Sequence, residues 1–108
     1  MTDGEWVDSI AVDQLWEGDM VGVDLGDTPI LLVNFDGKIL AYENRCPHQA
    51  SPLSEGDLDD NVLTCSRHLW CFDVTTGQGI NPANARLKEF EAKVEGDRIL
   101  VRLVSVST

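Results

Sequence analysis

The chain has 108 residues, 43% of them apolar, and its 19 acidic and 8 basic side chains leave a formal net charge of −11. That length supports one core rather than two, and that charge repels a phosphate backbone or an anionic membrane surface. No apolar run approaches the roughly 18 residues of a membrane span, and the opening Met1-Thr2-Asp3-Gly4-Glu5 is acidic where a secretory signal is basic and then apolar. A single soluble domain over residues 1–108 is expected, monomeric and cytoplasmic, with reduced thiols and no binding to nucleic acid or membrane.

Along the chain, short apolar runs are broken by Gly, Asp, Asn and Pro, a pattern of β structure. Val12-Asp13-Gln14-Leu15-Trp16 reads as one helical turn and Met20-Val21-Gly22-Val23 as a strand. The runs from Ile30 to Phe35 and from Lys38 to Tyr42 flank Asp36-Gly37, a pair that tolerates the positive φ angles of a tight hairpin turn. Residues 44–85 are rich in Pro, Gly, Asn and Asp and too long for an ordinary connection, so they are expected to carry function. Phe90, Ala92 and Val94 alternate with Glu91 and Lys93, a half-buried strand that Gly96-Asp97 turns into the run from Ile99 to Val104. The predicted fold class is all-β, with antiparallel sheets.

Both histidines and two of the three cysteines fall in residues 44–85, as Cys46-Pro47-His48 and Cys65-Ser66-Arg67-His68. Each cluster places one soft thiolate and one imidazole close together on an expected loop tip. Two such loops can enclose a metal centre, and two thiolates with two imidazoles suit either zinc or an iron–sulfur cluster of mixed ligation. Two ferric ions, two sulfides and two thiolates sum to a neutral oxidised centre, whereas four thiolates leave it doubly negative. Replacing two Cys by two His therefore makes an added electron less costly and raises the potential. For zinc, a single intervening proline in C-x-H is an unusual ligand spacing, and a long β pattern is unlike a minimal finger.

The spacing resembles the Rieske family. Asn44-Arg45-Cys46-Pro47-His48 matches its first ligand loop, and Cys65-Ser66-Arg67-His68-Leu69-Trp70-Cys71-Phe72-Asp73 matches its second. Thr76-Gly77-Gln78-Gly79-Ile80-Asn81-Pro82 is similar to the family's proline-bearing loop over the cluster. The resemblance covers nearly the whole chain, including Trp16–Gly18 and the closing hairpin. It implies an all-β Rieske fold whose cluster-binding subdomain, about residues 44–85, holds one [2Fe–2S] cluster. Cys46 and Cys65 would bind one iron and His48 and His68 the other, with the outer imidazole nitrogens near solvent at the protein tip.

High-potential relatives place a disulfide across the cluster and a Ser and a Tyr after the last histidine. Here Gln49 or Ala50 and Ser66 or Arg67 stand at the disulfide positions, and Trp70 and Phe72 where the hydroxyls would be. Fewer hydrogen bonds to sulfur disfavour the reduced cluster, which implies a potential nearer roughly −150 mV than +300 mV. Cys71 is expected to be a small buried side chain in the strand after the second loop, and Trp70 to pack beside His68 or to contact a partner. Glu55, Asp57, Asp59 and Asp60 read either as a docking patch for a basic partner or as a solvated turn.

Both histidines are committed to metal, and there is no phosphate-cradling Gly loop or nucleotide fingerprint, so a carrier is expected rather than an enzyme. Pro47-His48-Gln49, Leu53-Ser54-Glu55-Gly56, His68-Leu69-Trp70 and Gly79-Ile80-Asn81-Pro82 resemble ferredoxins of bacterial toluene and alkene monooxygenases. The implied partners are a flavin and iron–sulfur NADH reductase and a terminal diiron hydroxylase. A ferredoxin of an aromatic-ring dioxygenase is the alternative in the same class. A zinc-binding interaction module and a structural subunit without a cluster are the alternatives outside it.

Overall fold

The computed structural model describes residues 6–45, 52–65, 70–81 and 85–102. Among these described residues ten strands follow in chain order: β1 Trp6–Ala11, β2 Met20–Leu25, β3 Thr28–Phe35, β4 Lys38–Glu43, β5 Asp57–Asp59, β6 Val62–Thr64, β7 Cys71–Asp73, β8 Gly79–Asn81, β9 Glu89–Glu95 and β10 Arg98–Arg102. They form a six-stranded sheet in the order β1-β10-β9-β4-β3-β2 and a four-stranded sheet in the order β5-β6-β7-β8. Every pairing is antiparallel. The all-β expectation holds. Single 3-10 turns, at Val12–Gln14 and Leu53–Glu55, are the helical segments among the described residues; the first lies where one helical turn is expected.

β3 organises the interior. Its run Ile30-Leu31-Leu32-Val33 is fully buried, and successive side chains of a strand leave on opposite faces. Leu31 and Val33 join Tyr42 from β4, Leu53, Leu63, Cys65, Phe72, Val74 and Leu87 in one core. Ile30 and Leu32 join Ala41, Leu15, Leu25, Phe90, Ile99 and Val101 in another. β3 and β4 are therefore a wall between two cores, one shared with Phe90 of β9 and with Ile99 and Val101 of β10, the other with the small sheet. A strand buried on both faces must read as a continuous apolar run, which is why Ile30–Val33 shows no alternation.

The turns follow their residue types. Phe35 pairs with Lys38, so two residues close the β3–β4 hairpin. Asp36 and Gly37 have φ angles of 55° and 82°, the both-positive signature of a type I′ turn, and the Gly37 amide donates to Asn34 Oδ1 at 3.1 Å. Glu95 pairs with Arg98 across Gly96-Asp97, as expected.

Three findings differ from the sequence reading. Residues 44–85, read as too long for an ordinary connection with one strand at Cys71, contain the whole four-stranded sheet, whose three-residue strands are too short for a period-2 signal to stand out. β1 pairs with β10 although its polar Asp8 and Ser9 disguise it. Asp8 receives a forked pair of bonds from Arg98, Nε to Oδ1 at 2.8 Å and Nη2 to Oδ2 at 2.7 Å, and these hold its carboxyl below the usual carboxylate range. In β9 the expected alternation buries Phe90 but fades to a 44% exposed Val94 next to the hairpin turn.

Candidate metal centre

The segment whose sequence carries Cys46 and His48 is held at both ends. β4 ends at Glu43, and the next amide, Asn44 N, donates to the Pro29 carbonyl at 2.9 Å. Ser54, in the turn Leu53–Glu55, donates its amide to Asn44 Oδ1 at 2.9 Å, and Asn44 Nδ2 donates to Ser54 Oγ at 3.1 Å. Asn44 and Ser54, on either side of residues 45–53, are thus joined by a two-bond side-chain clamp. Gly22 of β2 lies against it: a Cβ at Gly22 would come within 2.5 Å of Asn44 Nδ2 and 2.8 Å of Ser54 Oγ.

The second loop grows out of a β hairpin. Thr64 of β6 pairs with Cys71 of β7, and one step further the Cys65 amide donates to the Trp70 carbonyl at 2.7 Å. Cys65 is 1% exposed and sits in the core beside Leu53, Leu63 and Phe72. The loop bearing Pro82 is closed in the same way, by the Gly79 amide on the Ala85 carbonyl at 2.8 Å and by Arg86 Nη1 on Gln78 Oε1 at 3.0 Å.

Leu53, Cys65, Trp70 and Ala85, the feet of the three loops, all pack into one apolar cluster. The coupling of the first two is direct. Gly56, which leaves the first loop, lies so close to β6 that a Cβ there would overlap the Thr64 carbonyl, one residue before Cys65. Asp57 then pairs with Thr64. The described ends of three segments of unrelated sequence therefore meet on one patch of core.

Of the four expected ligands, Cys65 is described. Cys46, His48 and His68 lie outside the described residues, as do Gln49, Ala50, Ser66, Arg67 and Pro82. Among the described residues no group of three His, Cys, Asp or Glu side chains comes together to hold a metal ion. Cys71 is half-buried rather than buried, because β7 packs one face only, and its Sγ lies 3.7 Å from Thr64 Oγ1. Trp70 and Phe72 stack obliquely, centroids 6.4 Å apart and planes at 49°. Glu55, Asp57, Asp59 and Asp60 are all exposed along β5, the edge strand of the small sheet, while Leu58 turns inward onto the core. Asp73 Oδ1 accepts from Thr75 Oγ1 at 2.6 Å and from the Thr75 amide at 2.9 Å, which holds its carboxyl low and fixes the turn after β7.

The sequence reading missed the clamp. Asn44 and Ser54 each lie in a motif of the resemblance, but their partnership across ten residues has no periodic signal.

The model of the Rieske [2Fe-2S] domain matches residues 5–91. The chain belongs to the Rieske family. A ferredoxin component of the alkene monooxygenase system of Xanthobacter autotrophicus is 51% identical over 92% of this chain and 82% of its own length. A ferredoxin component of the naphthalene 1,2-dioxygenase system of Pseudomonas aeruginosa is 33% identical over 92% of this chain and 96% of its own. Among solved structures, a chain in the complex of reduced oxygenase and oxidised ferredoxin of carbazole 1,9a-dioxygenase superposes with a TM-score of 0.87 at 28% identity, covering 95% of this chain and 97% of that one. This Rieske protein is a ferredoxin, an electron carrier rather than a catalyst, and its cofactor is one [2Fe–2S] cluster.

The residues fit that group. Cys65 presents a soft thiol, walled from water, where the β6–β7 pairing ends, and the two motifs of the sequence contain a further Cys and two His, the donor types that such a cluster takes. No helix among the described residues is long and apolar enough to cross a membrane.

Proposed function

We propose that Cys46 and Cys65 hold one iron of the cluster and His48 and His68 the other. We further propose that the protein passes single electrons from a flavin and iron–sulfur NADH reductase to a terminal diiron hydroxylase of alkenes or aromatics. The cluster, when bound, supplies one reversible electron. The protein seats it, keeps water from its cysteine side and offers the docking surface. The observation that carries the reading is the shared core under the three loops, with buried Cys65 at its centre. The alkene monooxygenase ferredoxin at 51% identity supports the monooxygenase partner, and the naphthalene dioxygenase ferredoxin at 33% supports a ring-hydroxylating dioxygenase as second reading. In this reading the chain is a single domain over residues 1–108 with its cluster-binding part at about residues 44–85, monomeric and cytoplasmic.

Visible and electron paramagnetic resonance spectra of the purified protein, before and after dithionite, test the centre. A brown protein with a rhombic reduced signal of low average g is expected, with a potential below zero and nearer roughly −150 mV than +300 mV. Cys65→Ser is expected to abolish that signal. A colourless, silent protein with one bound zinc refutes the carrier reading. Turnover of an alkene-hydroxylating diiron enzyme, but not of a ring-hydroxylating dioxygenase, with this ferredoxin and NADH reductase selects the first partner.

A further inference from the structure

We infer that the Asn44–Ser54 clamp, seated on Gly22, is the positioning device that holds together the two ends of the segment bearing Cys46 and His48 and so governs how slowly the cluster is lost. The inference rests on the assignment of Cys46 and His48 as ligands.

Sheet pairing ends at Glu43 on one side of the loop and resumes at Asp57 on the other. Between them the two bonds joining Asn44 to Ser54 bracket the segment that carries Cys46 and His48. The clamp is tied into the large sheet by the Asn44 amide on Pro29, and Leu53, next to Ser54, is fully buried. A loop that donates two ligands must swing away before iron can leave. Holding its ends together keeps the second ligand at high effective concentration after the first has let go. Gly22 completes the device, since neither side chain could sit where it does above a Cβ. Groups that orient metal ligands from behind commonly change metal retention by an order of magnitude or more.

The test is the rate at which the purified, cluster-loaded protein loses its visible absorbance to an iron chelator. Asn44→Ala, which removes both bonds, is expected to release iron about tenfold faster than the parent. Ser54→Ala, which keeps its amide on Asn44 Oδ1, should have a smaller effect. Gly22→Ala deletes neither partner but crowds both, and should speed release in the same direction. Asn34→Ala is the control. Asn34 makes comparable bonds, to the Leu15 carbonyl at 3.0 Å and from the Gly37 amide at 3.1 Å, at the far end of β3. It should lower the unfolding midpoint without speeding iron loss at temperatures where the fold is intact. Parent-like release from both Asn44→Ala and Gly22→Ala overturns the inference, as does equal acceleration by Asn34→Ala, which would make the effect one of global stability. If instead Cys46→Ser or His48→Ala leaves the cluster spectrum unchanged, the ligand assignment fails and the clamp's role fails with it.

Discussion

Tyr42 shows how one side chain joins the two halves of the molecule. It leaves β4 on the face toward the small sheet, and its hydroxyl donates to the buried Val74 carbonyl at 2.6 Å. Gly77 lies on its ring, where a Cβ would come within 3.0 Å of Cε1. Burial, with a smaller push from the charges of Glu89 and Asp73, raises its pKa far above the usual phenol value. Tyr42→Phe removes the donor and leaves the Val74 carbonyl unpaired, at an expected cost of about 1–3 kcal/mol at neutral pH. The sign with pH follows from the raised value. A neutral phenol contributes its full stability below the unfolded value of about 10 and loses it as pH climbs toward the folded one. Urea unfolding of the two proteins at neutral pH and at about pH 11 should therefore show a gap that narrows in alkali. A gap equal at both pH values refutes the titration, and no gap at neutral pH refutes the hydrogen bond.

At the scale of elements, the hairpins were legible because a turn pair and its flanking runs are local. Asp36-Gly37 between two apolar runs sufficed for β3 and β4, and Gly96-Asp97 for β9 and β10. The small sheet was not, because its strands are three residues long and are made by their neighbours: β5 has one inward side chain, Leu58, between two exposed aspartates. The turn Leu53–Glu55 is led into that sheet through the close approach of Gly56 to Thr64, which no local pattern announces. Gly56→Ala would drive a methyl into the Thr64 carbonyl, and an overpacked site of this kind costs about 1–3 kcal/mol. Gly37→Ala is the comparison. Its φ of 82° is strained for alanine but nothing lies within 4 Å, so a cost of about 1 kcal/mol is expected from backbone strain alone. Urea midpoints of the two variants measure this, and the larger loss should fall on Gly56→Ala; the reverse order would mean that β5 and β6 separate freely.

For the whole molecule the dominant property is charge. A carrier of net charge −11 that docks on a basic partner is steered to it, and salt screens the steering. Stopped-flow reduction of the ferredoxin by its reductase should slow as ionic strength rises from about 0.05 to 0.3 M. Neutralising Glu55, Asp57, Asp59 and Asp60 to their amides should flatten that dependence if the exposed edge of the small sheet is the docking face. An unchanged slope would assign those residues to solvation alone. The sequence by itself determined the all-β class and the hairpins and, through its motifs, the class of cofactor, because turn residues, alternation and donor type are properties of neighbouring residues. Only the tertiary structure decided that β3 is a wall between two cores, that the feet of three loops meet over one of them, and that Asn44, Ser54 and Gly22 form a single clamp. Those relations join residues 10 to more than 30 positions apart, and they exist only once burial and hydrogen bonding have brought the strands together.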